Sequence, residues 1–343
     1  MKLRIWLIGW LGIMLGTACG SPRQALPDVT TGRDVTEGPL QRWIIPPPLQ
    51  KGDTVMIVAP AGYVSNTHHY IERADSLLRA WGLVPVHGRH LFARHYTFAG
   101  TDAQRAADLQ EALDRPDVKA VWAARGGYGS IRIVDSVSLE KFKQHPKWLI
   151  GFSDITVWLN RLFNEGYAGV HGIMPISLAH PNPRRQPAIV TLKNILFGRT
   201  LTFTVPSDSL NIPGRAEGVI VGGNLSTLVS LLGSKDQLDT RGKILFLEDV
   251  DEYPYSYDRM LHALARAGYF DHLAGLIIGD MSTKRNNDRF GETVEEMVLK
   301  LVRDKGYPVV FGFPAGHVVK NYAVPFGKKA VIRVKRRKVW VQY

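Results

Sequence analysis

Alternation constrains this chain more than any single residue does. Short apolar runs at 54–59, 84–87, 120–124 and 147–152 are interleaved with helix-periodic stretches at 69–81, 103–113 and 155–165. Near-continuous apolar strands separated by amphipathic helices predict a parallel sheet covered on both faces. The rhythm resumes with strands at 219–221, 243–247 and 276–278, helices starting at 225 and spanning 257–267 and 293–305, and further strands at the end. In between, Pro181, Pro183 and Pro187 interrupt the pattern, leaving a short helix near Leu192, so 181–217 reads as an interdomain crossing. A length of 343 residues fits two domains, here 43–180 and 218–343. The expected class is α/β.

The first residues predict export. Lys2 and Arg4 precede an apolar run over 5–15 that ends in Gly16, Thr17 and Ala18, just before Cys19. That run is shorter than the roughly 20 residues a membrane-spanning helix needs, so 1–18 reads as a signal peptide. Cys19 is the single cysteine, which excludes an internal disulfide and a cysteine-built zinc site. Its place after the small residues resembles a bacterial lipoprotein signal. The expectation is a lipid on Cys19, a flexible tether over 19–42, and a periplasmic body held at the membrane.

The net charge is +12, and Lys328, Lys329, Arg333, Lys335, Arg336, Arg337 and Lys338 concentrate much of the excess near the end. Val331, Val334, Val339 and Val341 are interleaved with them, which predicts a basic turn between two half-buried strands. An export signal also argues against a nucleic-acid partner.

Parallel sheets bind ligands beyond the carboxyl ends of their strands, and three such junctions carry candidate chemistry. In Gly151-Phe152-Ser153-Asp154 the serine hydroxyl would stand between strand and helix, with backbone N–H groups able to bind an oxyanion. The hydrolase elbow G-x-S-x-G is incomplete, since Ile155 replaces its last glycine; on residues alone, Ser153 fits a helix cap better than a nucleophile. Arg125-Gly126-Gly127-Tyr128-Gly129 follows a strand and could cradle a phosphate, supply an oxyanion donor, or simply turn. Leu247-Glu248-Asp249, with Asp251 and Glu252 nearby, offers carboxylates that could orient a histidine or cap the next helix. Of 11 histidines, His317 lies in the loop Gly312-Phe313-Pro314-Ala315-Gly316-His317, where the backbone can aim it. No H-E-x-x-H occurs, and the pairs His68-His69 and His87 with His90 are expected to lack carboxylate or cysteine company, so no metal and no cofactor are expected.

These segments, in order, resemble the LD-carboxypeptidase family of serine peptidases, which includes muramoyl-tetrapeptide carboxypeptidase and microcin-C immunity peptidases. The likeness rests on Gly52 to Val55, Ala59 to Ala61, Ala124 to Gly129, Leu149 to Thr156, His171-Gly172, Gly222 to Leu225, Phe246 to Val250, Gly312 to His317, Asn321 and Pro325 to Gly327. The resemblance implies an N-terminal Rossmann-like domain, a smaller C-terminal β-rich domain, a site between them, and homodimers. It also implies Ser153 as nucleophile, His317 as general base, Glu248 as its orienting carboxylate, and N–H groups at Gly127 and Asp154 as the oxyanion hole. The implied reaction removes the terminal D-Ala from peptidoglycan tetrapeptides. A peptide-nucleotide antibiotic is the alternative enzyme substrate. A non-catalytic, lipid-anchored solute receptor is the alternative of another class.

Overall fold

The structure, a computed structural model, describes residues 43–65, 69–283 and 290–343. The signal, Cys19, the tether and His68 lie outside the described residues. From Trp43 onward the described chain belongs to one compact unit, 41–343.

The first half is parallel, as its apolar runs require. Strands β1 (Thr54–Val58), β2 (Val84–His87), β3 (Val118–Ala123), β4 (Trp148–Gly151) and β5 (Gly169–His171) pair in parallel, in the order β5-β4-β3-β1-β2. Between them lie α1 (Tyr70–Ala80), α2 (Asp102–Asp114), α3 (Ser130–Ile133), α4 (Glu140–Gln144) and α5 (Thr156–Asn164). Helix α1 buries Ile71, Ala74 and Leu78, one face at helical spacing, and α2 begins in a reciprocal cap between Thr101 and Gln104.

The stretch 181–217 is not a bare crossing. It contains α6 (Gln186–Leu196), β6 (Thr202–Pro206) and the start of β7 (Gly214–Asn224). Pro187 lies in the first turn of α6, where a missing N–H costs nothing, so it opens a helix instead of breaking one. A second sheet follows, with β8 (Ile244–Glu252), β9 (Gly275–Thr283) and β10 (Val309–Val310) parallel to β7 in the order β10-β9-β8-β7. Helices α7 (Leu225–Ser230), α8 (Pro254–Arg266) and α9 (Val294–Val302) connect these strands. Beyond them, β11 (Val324–Phe326) leaves the second half and pairs antiparallel with β5, so the first sheet has six strands. Strands β12 (Lys329–Val334) and β13 (Lys338–Gln342) then complete a seven-stranded second sheet, with β6 on its edge. The basic tail is thus a hairpin with Val334, Val339 and Val341 buried beneath its charges.

Strand β8 aims the chemistry. Ile244 and Phe246 join the core cluster of the first sheet, whereas Leu245 and Leu247 join the cluster beneath α8 and α9. Alternate side chains face opposite ways, so Glu248 shares the parity of Phe246 and faces the first sheet. The register of β8 on β9 shifts after Leu247 and again after Asp249, and a bulge of this kind bends a strand and re-aims its side chains.

Candidate active site

Ser153 leaves β4 at φ 62, a left-handed conformation that costs a non-glycine residue about 1–3 kcal/mol. It opens a 3₁₀ turn, Ser153–Ile155, that runs into α5. The preceding residue, Phe152, is the cap, and no side chain caps this turn, so the Ser153 hydroxyl is not used as sequence alone favoured. Ile155, in place of the elbow's last glycine, is fully buried in the core.

The Arg125–Gly129 turn lies directly against this serine. A Cβ on Gly126 would lie 3.0 Å from Ser153 Cβ and 3.2 Å from its Oγ, so any side chain there would press on the serine, and glycine leaves this approach unstrained. The buried Arg105 braces the turn from below, donating to the Pro60 and Gly129 carbonyls at 2.7 and 2.9 Å and pairing with Asp102. Asp154 accepts from the Ser130 N–H at 2.9 Å, and burial pushes its carboxyl above the ordinary range. Among the described residues no backbone acceptor takes the N–H of Gly127 or of Asp154.

From the second half, His317 Nδ1 meets Glu248 Oε2 at 2.7 Å. Glu248 is 0 % exposed, and its Oε1 has no hydrogen-bond partner among the described residues. Burial pushes its carboxyl upward, against the pull of His317. Burial alone would lower the His317 pKa, but the bond to Glu248 and its charge, with Asp249 and Asp280 behind it, raise it instead. The carboxylate therefore makes this imidazole more basic and fixes which nitrogen faces away from it.

The loop carrying His317 is tied down on three sides. Phe313 N donates to Ile278 O, Asp280 N to Ala315 O, and Gly316 N to Asn321 Oδ1. Gly316 has φ 115, and a Cβ there would lie 2.9 Å from Glu248 Oε2. Across the gap, the Phe152 ring packs on the His317 ring at 4.9 Å. The residue before Ser153 thus touches His317 itself, although no hydrogen bond joins Ser153 to His317.

The site also contains residues that sequence reasoning gave no role. His171 is 0 % exposed, with Phe152 and Phe246 rings at 5.5 and 4.9 Å. Burial and the neighbouring His317 pull its pKa down to about 3, so it stays neutral. Neither ring nitrogen makes a well-formed hydrogen bond, although Asn321 lies near enough to oppose that shift. No strand was expected at 169–171; the signal that could have found His171 is the short apolar run Ala168-Gly169-Val170 just before it. Asn224 caps α7 through Thr227 N and donates to Asp249 Oδ1 at 2.9 Å, while its own N–H donates to Thr156 Oγ1, stitching β7 to the start of α5.

Three other histidines require a correction. His69 lies 3.4 Å from the Glu72 carboxylate, and His87 and His90 each have an aspartate: His87 with Asp75 at 2.9 Å and His90 with Asp108 at 2.7 Å. Helices α1 and α2 bring these aspartates over the sheet, contacts that local sequence does not show. Among the described residues no group of three metal-binding side chains forms.

Comparison with known proteins assigns the class. Residues 55–172 match the LD-carboxypeptidase N-terminal domain and residues 217–332 the LD-carboxypeptidase C-terminal domain. A Bacillus subtilis protein named "probable murein peptide carboxypeptidase" is 35% identical over 302 residues, covering 85% of this chain and 92% of its own. The murein tetrapeptide carboxypeptidase of Pseudomonas aeruginosa is 30% identical over 292 residues, covering 82% and 94%. The crystal structure of muramoyltetrapeptide carboxypeptidase from Oxalobacter formigenes superposes with a TM-score of 0.76 at 28% identity, covering 84% of this chain and 98% of that one. The class is a peptidase, a hydrolase, which sets the solute-receptor alternative aside. Within it, the chain belongs to the LD-carboxypeptidase family.

Proposed function

We propose that this protein is a serine-type LD-carboxypeptidase that removes the terminal D-Ala from peptidoglycan tetrapeptides through an acyl-enzyme. The observation that carries this reading is the buried Glu248–His317 pair, 2.7 Å across, set against the residue that precedes a strained Ser153. His317 takes the Ser153 proton as the hydroxyl attacks the scissile carbonyl, then delivers it to the leaving amine. Glu248 holds the imidazole in the required tautomer and stabilises the imidazolium. The N–H groups of Gly127 and Asp154 receive the oxyanion. Water then enters against the acyl-enzyme, with His317 again as base. The open Ser153–His317 contact is compatible with this course, since catalytic hydrogen bonds often tighten only when substrate is bound.

The substrate reading draws on relatives whose names specify murein peptides. The location reading draws on the amino terminus alone: a lipid on Cys19 would tether the body at the membrane, outside the cytoplasm, where stem peptides of the wall or its fragments are at hand. A single acyl chain binds a membrane only marginally, so anchoring would need the several chains of a bacterial lipoprotein.

The test is to incubate the purified protein with a defined tetrapeptide and separate the products. Release of D-Ala and tripeptide is expected, with Ser153→Ala losing all but a residual rate while still binding the peptide. Full activity in Ser153→Ala would refute the serine mechanism; an untouched tetrapeptide would refute the substrate.

A further inference from the structure

A carboxypeptidase must recognise a free carboxylate only one residue beyond the bond it breaks. One residue spans at most about 3.6 Å, so the group that reads the carboxylate stands within a side chain's reach of the nucleophile. Building on the function proposed above, we infer that Arg125 binds the C-terminal carboxylate of the substrate and so sets the enzyme's restriction to chain ends.

Arg125 directly precedes Gly126, whose added Cβ would lie 3.2 Å from Ser153 Oγ. Its side chain folds back beside the same turn, with Nη2 3.8 Å from where a Cβ on Gly127 would stand. The guanidinium is held from behind: Nη1 donates to the Tyr63 carbonyl at 3.1 Å, and Nε is enclosed next to Gly62 without a partner. Nη2 has no acceptor among the described residues. The Tyr63 ring lies 5.9 Å from this guanidinium and 4.2 Å from that of Arg94.

Neither arginine pairs with a carboxylate among the described residues, whereas the nearby Arg105 and Arg132 both pair with Asp102. An arginine fixed by neutral groups and lacking a counter-ion retains its charge for a ligand. Its planar fork suits a carboxylate, and the bond is strengthened where both partners are charged.

The assay compares a tetrapeptide ending in D-Ala with the same peptide ending in D-alaninamide, using the full-length protein. Both leaving groups are amines, so the chemistry is matched and only the terminal charge differs. The unsubstituted protein should prefer the free acid by about 10- to 100-fold in kcat/KM, the range of a hydrogen bond to a charged group. Arg125→Gln should lose that factor on the acid, chiefly through KM, over and above any loss on the amide, so that the preference between the two peptides collapses. Arg125→Lys, which keeps the charge without the fork, should retain part of it; this variant carries the test if the glutamine variant does not fold. Equal losses on both peptides, or a wild-type rate indifferent to amidation, would overturn the assignment alone. No turnover of either peptide would overturn the functional reading and this assignment with it.

Discussion

Replacing Glu248 by Gln removes a charge and almost no volume, so its effects on rate and on stability should separate. At 2.7 Å, and with an effective dielectric of about 20, a carboxylate attracts an imidazolium by about 6 kcal/mol before the cost of desolvating both is subtracted. Removing one partner of a buried pair costs about 3–5 kcal/mol, and here the charged imidazolium exists mainly in the transition state. The expected loss is therefore about 10²- to 10⁴-fold in kcat with little change in KM. The pH profile gives the sign. His317 is a base only when neutral, so kcat/KM rises with pH through its pKa, which Glu248 holds above the ordinary 6.5. With the carboxylate gone, burial dominates and lowers that pKa, so the acid limb should move to lower pH. Stability should move the other way or not at all. Ionising the buried Glu248 costs more in the fold than in the unfolded chain, so its contribution turns unfavourable as pH rises above the ordinary carboxylate range. The raised pKa of His317 contributes stability that is full below the ordinary imidazole value and is lost as pH rises through the folded one. Near neutral pH, Glu248→Gln should melt at or above the parent temperature. Activity within threefold of the parent, or an acid limb that stays in place or moves up, would refute the argument.

Gly126→Ala should place a methyl group 3.0 Å from Ser153 Cβ and push the nucleophile by tenths of an ångström. About 100-fold in kcat is the expected loss, with a modest overpacking cost of about 1–3 kcal/mol in thermal unfolding; an active variant would show that the spacing of turn and serine is not critical. Cys19→Ser should abolish lipidation and leader processing, leaving peptidase activity intact; finding unmodified Cys19 inside the mature native chain by mass spectrometry would contradict the anchored location.

Sequence periodicity located the layered part of the fold because a buried parallel strand must be apolar along nearly its whole length, as β4 is and as β1 and β3 are apart from Thr54 and the exposed Lys119. It failed where the rule weakens. Strand β6 alternates exposed and buried residues, at a sheet edge with one neighbour; the short helix expected near Leu192 is there as α6, and the prolines upstream concealed only how early it starts. Strand β11 is only three residues long, and its pairing with β5 spans about half the chain, a partnership that no local pattern encodes. The halves are consequently interlocked. The first sheet receives its edge strand from the second half.

The site was legible to the same limit. Glycines, prolines and a lone loop histidine mark places where the backbone does something costly, and such places are visible in sequence because few residue types tolerate them. What sequence leaves open is which of several adjacent carboxylates faces the histidine. Glu248, Asp249, Asp251 and Glu252 were equal candidates as residues, and the strand was expected to end at 247. It continues through Glu252, so the alternation of β8 decides the matter: Glu248 inherits the side of Ile244 and Phe246, while Asp249 is bound by Asn224, Ser226 N and its own neighbour's N–H. A one-residue slip of this strand would present Asp249 to the histidine and bury Glu248 under α8, exchanging a long carboxylate for a shorter one. The register of β8 on β7 runs unbroken from Ile244 through Glu248, although on β9 it first shifts between Leu247 and Asp249. The parity is therefore fixed by the regular part of the strand, where Phe246 packs on His171 at 4.9 Å and leaves Glu248 one position of the same face further on, at His317.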